Sequence, residues 1–316
     1  MAALSTARKE YLASTFGSRV TFESTERKLY SHDVGDMPKL IKPLVGDTTP
    51  EAVVQPQVEQ EIIDLVNWAR ENEIALTPRG MATSGYGGVL PIKKGIVVDF
   101  FRYKNVISID PEKLNATVRP GIIWEDLDRE LAKKELTLAL YPTSYPSSTV
   151  GGWLAQGGAG IGSYESGWFR ENVISAKIIL PDGRVKEFEG DDLDYISDTE
   201  GITGIISSVT IKVQPLEDLG VIAVAVEETI GVQNLAEAVI EADLPLWSFI
   251  FINPQMADYK NISPLREHLG HTVEERVELP STFVATLTYR IKDESTINEK
   301  LDSILKSVKG VKLDDH

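Results

Sequence analysis

Eleven of the 24 glycines fall in two short stretches, four between residues 80 and 88 and seven between 151 and 167. Glycine loses more backbone freedom on folding than any other residue, so such clusters need a cause: backbone at positive φ, or an approach too close for a side chain. The first stretch, Pro78-Arg79-Gly80-Met81-Ala82-Thr83-Ser84-Gly85-Tyr86-Gly87-Gly88, follows the apolar run at 75–77. Successive N–H groups in a turn of this kind form an anion-binding concavity. Arg79, Thr83 and Ser84 add charged and hydroxyl donors suited to phosphate oxygens. The second stretch, residues 141–164, is long, hydroxyl-rich and almost uncharged. Its small side chains let the backbone lie against a large flat ligand. Neither stretch is a dinucleotide fingerprint of the G-x-G-x-x-G type, since Ser163 stands at the last glycine position, and no G-x-x-x-x-G-K-[ST] loop occurs.

Any anion held by these loops must be held against the global field. Lys plus Arg number 32 against 48 Asp plus Glu, a formal net charge of -16 in 316 residues. That balance argues against nucleic acid or an anionic bilayer as partner. Cysteine is absent, which removes disulfides, a thiol nucleophile and any Cys-ligated cluster within this sequence. With no apolar leader and no run of the ~18 apolar residues a membrane span needs, a cytoplasmic protein is expected. The four histidines, His32, His268, His271 and His316, leave little room for metal chemistry, and no metal site is expected.

Periodicity places a polar helix up to about residue 16, a short strand at 53–54 and an amphipathic helix at 59–72, with Ile62, Leu65, Val66 and Ala69 at i, i+3, i+4 and i+7. Strands are expected at 75–77, 95–100, 106–109 and 115–118, then a helix around 124–135. Residues 173–180 and 185–188 read as a hairpin about Pro181-Asp182-Gly183-Arg184, followed by a short helix at 191–198 and a strand at 205–213. Beyond Pro215 the pattern is strand 221–226, helix 232–241, strands 246–252 and 283–291, and helix 297–308. This is most of a ferredoxin-like split βαβ unit, whose last strand is either 311–313 or outside this chain. The organisation expected is a helical segment over 1–29, a first domain over 30–218 and a second over 219–316. Trp124, Trp153, Trp168 and Trp247 read mainly as core, and Arg102 and Arg170 as partners of surface acids.

Three ordered motifs carry a resemblance. Arg79-Gly80 with Thr83-Ser84, then Pro146-Ser147-Ser148-Thr149-Val150-Gly151-Gly152 with Ala155 and Gly160, then Thr199-Glu200-Gly201-Ile202-Thr203-Gly204-Ile205-Ile206, together with Gly167, Asn172-Val173 and Leu180-Pro181-Asp182-Gly183, look like the FAD-binding domain of the vanillyl-alcohol-oxidase/p-cresol-methylhydroxylase (PCMH) family. The resemblance runs to its glycolate oxidase/D-lactate dehydrogenase branch over residues 30–215. It implies an α+β fold: a PCMH-type, two-subdomain FAD-binding domain followed by a partial ferredoxin-like cap. FAD would meet Pro78, Arg79, Gly80, Met81, Ala82, Thr83, Ser84 and Gly85 at its pyrophosphate. The remaining expected contacts are Pro142, Ser147, Thr149, Val150, Gly151, Gly152, Ala155, Gly157, Gly160, Ser163, Tyr164 and Gly167 along the flavin, ribityl and phosphates. Glu200, Gly201, Ile205 and Ile206 would close the adenosine end. No catalytic residue is assigned.

The first loop lacks the histidine that some members bond to flavin, and cysteine is absent everywhere, so FAD is expected to be noncovalent. The branch's dehydrogenases carry a Gly-His-x-Gly-Asp-Gly-Asn stretch late in the cap. It does not occur here, and His268 and His271 read as polar loop residues. The resemblance therefore implies oxidation of a 2-hydroxy acid, with electrons leaving to an iron–sulfur subunit or domain, in a chain that is either a piece of a longer protein or a short subunit sharing its site. Two alternatives stand beside it. One is a noncatalytic FAD-binding or scaffold subunit of an electron-transfer complex. The other is a UDP-N-acetylmuramate-reductase-like enzyme, whose Gly-Ser-Asn first-loop signature is not seen at Ala82-Thr83-Ser84.

Overall fold

A computed structural model of the chain describes residues 4–35, 38–263 and 278–313. They form two compact units. The first comprises 1–160 and 168–216; the second comprises 161–167 and 217–316. His268, His271 and His316 lie outside the described residues.

The first unit holds two sheets. Strands β1 (Val20–Thr21), β2 (Ala52–Val54), β3 (Leu76–Arg79) and β4 (Ile96–Asp99) form a sheet in the order β1-β2-β4-β3. Here β2 and β3 run parallel to β4, and β1 runs antiparallel to β2. Parallel strands covered on both faces read as unbroken apolar runs, and Ile96, Val97 and Val98 are each fully buried. The helix Glu59–Glu71 covers this sheet because Ile62, Leu65, Val66 and Ala69 fall on one stripe, and all four are buried. Its charges suit its ends: Glu59 and Glu61 lie in the first turn and Arg70 in the last.

Residues 106–215 build an antiparallel sheet from β5 (Val106–Asp110), β6 (Asn115–Val118), β7 (Leu136–Leu138), β8 (Val173–Ile179), β9 (Val185–Glu189) and β10 (Ile205–Pro215). Its order is β5-β6-β10-β8-β9, with β7 also on β10. The β8–β9 turn closes through Gly183 N–H to Leu180 O at 2.8 Å, with Gly183 at φ 84°. Under this sheet lies a core of Trp124, Leu127, Leu131, Val150, Trp153, Leu154 and Phe169 with strand residues such as Val118 and Val209.

Several local expectations change. The stretch at 150–156 is a helix, Val150–Gln156, started by Thr149 Oγ1 accepting from Gly152 N–H at 3.2 Å. Two glycines in its first turn hide it from any propensity reading. Residues 190–195 form a 3₁₀ helix in place of the helix expected at 191–198. Strand β7 and the helix Pro254–Ile262, capped by Asn253 on Met256 N–H at 2.8 Å, are additions.

In the second unit, β11 (Leu219–Val226), β12 (Leu246–Ile252), β13 (Phe283–Arg290) and β14 (Val311–Lys312) form an antiparallel sheet in the order β12-β13-β11-β14. The helices Thr229–Glu241 and Glu294–Val308 pack Leu235, Val239, Ile297 and Leu301 against Val224 and Leu287. Both strands and helices thus have the ferredoxin-like arrangement, and its fourth strand is the two residues of β14. Residues 161–167 belong to this unit: Glu165 accepts both Nη1 and Nη2 of Arg290, at 2.6 and 2.8 Å, and Glu217 accepts Arg290 Nε at 2.5 Å. No helix of the described residues is long and apolar enough to cross a membrane.

Candidate functional site

A cleft in the first unit collects both glycine-rich stretches. Its walls include Pro78 to Ser84 from the loop after β3, Thr149, Gly151, Gly152 and Ala155 from the helix Val150–Gln156 and its cap, and Glu200, Gly201 and Ile206 beside β10. The cause of the first glycine cluster is close approach. Gly80 and Gly88 are not at positive φ; a Cβ on Gly80 would run into Thr149 Oγ1, and one on Gly88 into the Glu200 carboxyl. The positive φ of this loop falls instead on Ala82, at 53°, and on Gly87, at 82°. Left-handed backbone at Ala82 is one of the two conformations whose alternation builds an anion nest. Among the described residues, no protein acceptor takes the backbone N–H of Met81, Ala82, Thr83 or Ser84.

Arg79 sits differently from expectation. Its guanidinium donates to His32 O at 2.9 Å and to Leu29 O at 3.4 Å, and lies over the Tyr30 ring at 5.2 Å. Burial lowers its pKa, while Asp99, Tyr30 and Asp33 favour the charge. Asp99, buried at the end of β4, accepts from Tyr30 OH at 2.9 Å and from Gln55 Nε2 at 2.7 Å. Burial, then the Asp99 charge, pushes the Tyr30 phenol up to about 12. Arg79 therefore lends the cleft its positive charge while tying residues 29–32 to the end of β3.

Sequence reasoning misses Asp33, Gly88, Val89, Phe100, Pro120, Ser144, Trp153, Gln156 and Gly204, which also line the cleft, as does Ser148 within the expected 147–152 segment. For Asp33 a signal exists: Asp33-Val34-Gly35 reads as an Asx turn, and its carboxylate accepts Gly35 N–H and Gly87 N–H, both at 2.8 Å. Glu200 has φ 52°, and burial, then the nearby Asp198, raises its carboxyl pKa.

Ten expected contacts lie elsewhere. Gly85 lines a neighbouring pocket beside Gly35. Val150 and Ile205 turn into the core. Pro142 is buried outside the cleft, and Ser147 faces solvent with its N–H on Ser144 O at 3.0 Å. Gly157 closes its helix through N–H to Trp153 O at 2.6 Å, and Gly160 lies against Tyr141 O. Ser163, Tyr164 and Gly167 belong to the second unit. Of the two arginines expected to meet acids, Arg170 pairs with Asp194 at 2.6 Å, whereas Arg102 donates to the Gln55 amide oxygen at 2.9 Å. Trp124, Trp153 and Trp247 are buried; Trp168 is exposed. Among the described residues no group of three or more His, Asp or Glu is disposed to hold a metal ion.

The fold is of the PCMH type, shared with a p-cresol methylhydroxylase structure at TM-score 0.79 and 15% identity over 96% of this chain and 64% of that one. Residues 50–189 match the sequence profile of the FAD binding domain family. The chain is 28% identical to glycolate oxidase subunit GlcD of Bacillus subtilis over 62% of its own length and 44% of the relative's. It is 29% identical to the mitochondrial D-lactate dehydrogenase [cytochrome] of Arabidopsis thaliana, over 80% of this chain and 45% of that protein. The chain thus spans less than half the length of these relatives. An alkyldihydroxyacetonephosphate synthase structure shares the fold with TM-score 0.81 at 16% identity, covering 98% of this chain and 60% of that one.

The cleft fits FAD on its own chemistry. Four adjacent N–H groups without protein acceptors suit a pyrophosphate. Ser148 Oγ is buried with no hydrogen-bond partner among the described residues and lines the same cleft, as expected of a hydroxyl whose partner is a ligand.

Proposed function

We propose that the chain is the flavin-binding module of an oxidoreductase that oxidises a small 2-hydroxy acid and passes the electrons to a partner. The observation that carries this is the row of acceptor-free N–H groups at 81–84, set in the cleft that the Gly80–Thr149 approach brings together. FAD, when bound, supplies the two-electron acceptor for oxidation of the hydroxy acid to the 2-oxo acid. The chain's residues supply placement: the N–H row and the charge of Arg79 hold anionic oxygens, Ser148 and Ser144 offer hydroxyls, and Phe100, Pro120 and Ile206 exclude water. The relatives' names, glycolate oxidase subunit and D-lactate dehydrogenase, support the substrate class. With no cysteine in the given sequence, an iron–sulfur acceptor would lie on a partner subunit or a further domain. A noncatalytic flavin-binding role is the second reading.

The purified chain is expected to be yellow, and acid precipitation to release the flavin into the supernatant, because neither His nor Cys stands in the cleft. A colourless protein that ignores added FAD, or flavin retained in the pellet, would overturn this. Under argon, stopped-flow bleaching of the flavin band should be slow with lactate, glycolate and 2-hydroxyglutarate, faster than with matched simple alcohols, and rapid with dithionite. Equal inertness toward hydroxy acids and alcohols would leave the noncatalytic reading in its place.

Arg79→Ala is expected to weaken FAD more than Arg102→Ala. The variant removes a charge from the cleft lining and the tie to His32 O and Leu29 O, and roughly a tenfold rise in Kd is expected. Arg102, outside the cleft on Gln55, should change Kd less than about threefold. Fluorescence titration with FAD measures both, and equal losses would mean that the phosphates lie elsewhere.

A further inference from the structure

Ser144, Ser148 and Thr149 line the cleft, and the segment that carries them is moored by a cluster around Asp128. Asp128, on the helix Trp124–Ala132, lies within hydrogen-bond distance of three hydroxyls. Thr137 Oγ1 of β7 is 3.3 Å from its Oδ1, Tyr141 OH is 3.2 and 3.3 Å from its two oxygens, and Tyr145 OH donates to Oδ2 at 3.4 Å. Thr137 Oγ1 and Tyr141 OH lie 2.7 Å apart, and the two tyrosine rings meet edge to face at 5.2 Å. From Tyr145 the backbone runs through short bonds, Tyr145 N–H to Pro142 O at 3.0 Å and Ser147 and Ser148 N–H to Ser144 O at 3.0 and 3.2 Å, into Ser148 and Thr149 of the cleft.

We propose that Asp128 is a positioning residue, whose ionised carboxylate gathers Thr137, Tyr141 and Tyr145 and so fixes the 144–149 wall of the cleft. A carboxylate accepts at both oxygens, so it takes Tyr145 at one and the hydrogen-bonded Thr137–Tyr141 pair at the other; an amide or a protonated carboxyl places a donor at one of these positions, and the hydroxyl there has to reorient to accept it. Burial holds the Asp128 carboxyl above its usual range, against the pull of Tyr141, Thr137, Tyr145 and a backbone bond at Leu138. The other charges near the cluster are Glu125 and Arg129 of the same helix, themselves paired at 2.7 Å; Tyr145 is pushed up to about 12, by burial first and then by Asp128 and Glu125.

Asp128→Asn is the test, read in two ways. Amide exchange at Ser147 and Ser148 in the FAD-free protein should quicken by about tenfold, with Tyr145→Phe giving a smaller effect. FAD should bind about tenfold more weakly, an arm that rests on the proposed cofactor role. The pH profiles separate positioning from mere support. The folded-state pKa lies above the unfolded one, so the wild type gains stability relative to Asp128→Asn as pH falls through that range. Over the same range its FAD affinity falls, while that of Asp128→Asn stays flat. Unchanged exchange at Ser147 and Ser148 in Asp128→Asn overturns the proposal whatever FAD does. Faster exchange in a protein that binds no FAD upholds the mooring and overturns only the cofactor reading.

Discussion

Trp124→Ala is expected to destabilise the first unit by about 3–5 kcal/mol, the usual cost of deleting a fully buried large aromatic side chain. Trp124 is 1% exposed and meets Trp153 and Phe169 edge-on, each at 5.3 Å, while those two rings stack on one another at 4.3 Å. Removing it leaves a hole directly behind Trp153, which lines the cleft, so FAD affinity should fall together with stability. Trp124→Phe should cost less than half as much. The indole N–H has no acceptor among the described residues, so Phe forfeits area but no hydrogen bond. Denaturant unfolding followed by tryptophan fluorescence gives both values, and a loss below about 1 kcal/mol for Trp124→Ala would show that the three-ring stack is not the centre of this core.

Gly80→Ala should be almost as damaging although it adds one methyl group. The new Cβ meets Thr149 Oγ1, the same atom that accepts Gly152 N–H at the start of the helix Val150–Gln156. Overpacking of this kind costs about 1–3 kcal/mol, and displacement of the neighbouring N–H row should raise the Kd for FAD roughly tenfold or more. Thr149→Ala alone loses a helix cap, about 1 kcal/mol. It also opens the space that Gly80→Ala needs, so the double variant should be less harmed than the sum of the singles. A double-mutant cycle in both stability and FAD titration measures this coupling. Strict additivity would mean that the two loops do not meet as described.

The sequence states local patterns plainly and pairings poorly. Ile62, Leu65, Val66 and Ala69 announce their helix because burial on one stripe repeats every turn. The strands Ile96–Asp99 and Val173–Ile179 are equally legible, since their apolar runs match the covering they receive. What stays hidden depends on partners distant in sequence. The helix Val150–Gln156 exists because Thr149 caps it and Trp153 and Leu154 are drawn into the core, against the preference of Gly151 and Gly152. Nothing in the neighbourhood of Arg79 reveals that carbonyls of residues 29 and 32 take its donors. The cleft shows the same division. Its loop from Pro78 to Ser84 stands out by composition, whereas Asp33, Phe100 and Pro120 arrive from three other places in the chain and leave no joint signature.

The strap at 161–167 constrains how such a chain can be remodelled. The backbone leaves the first unit after Gly160, joins the second, and returns at Trp168 before leaving again after Leu216. Arg290 grips Glu165 from one crossing and Glu217 from the other. The two units are therefore interlaced along the chain rather than strung one after the other. A chimera joined at a single point near residue 216 would inherit a foreign strap and strand Arg290 without one of its two carboxylates. Exchange of the second unit between relatives demands three junctions, with the heptapeptide travelling alongside the sheet it serves, so recombination within this architecture should favour whole-chain inheritance over shuffling of its parts.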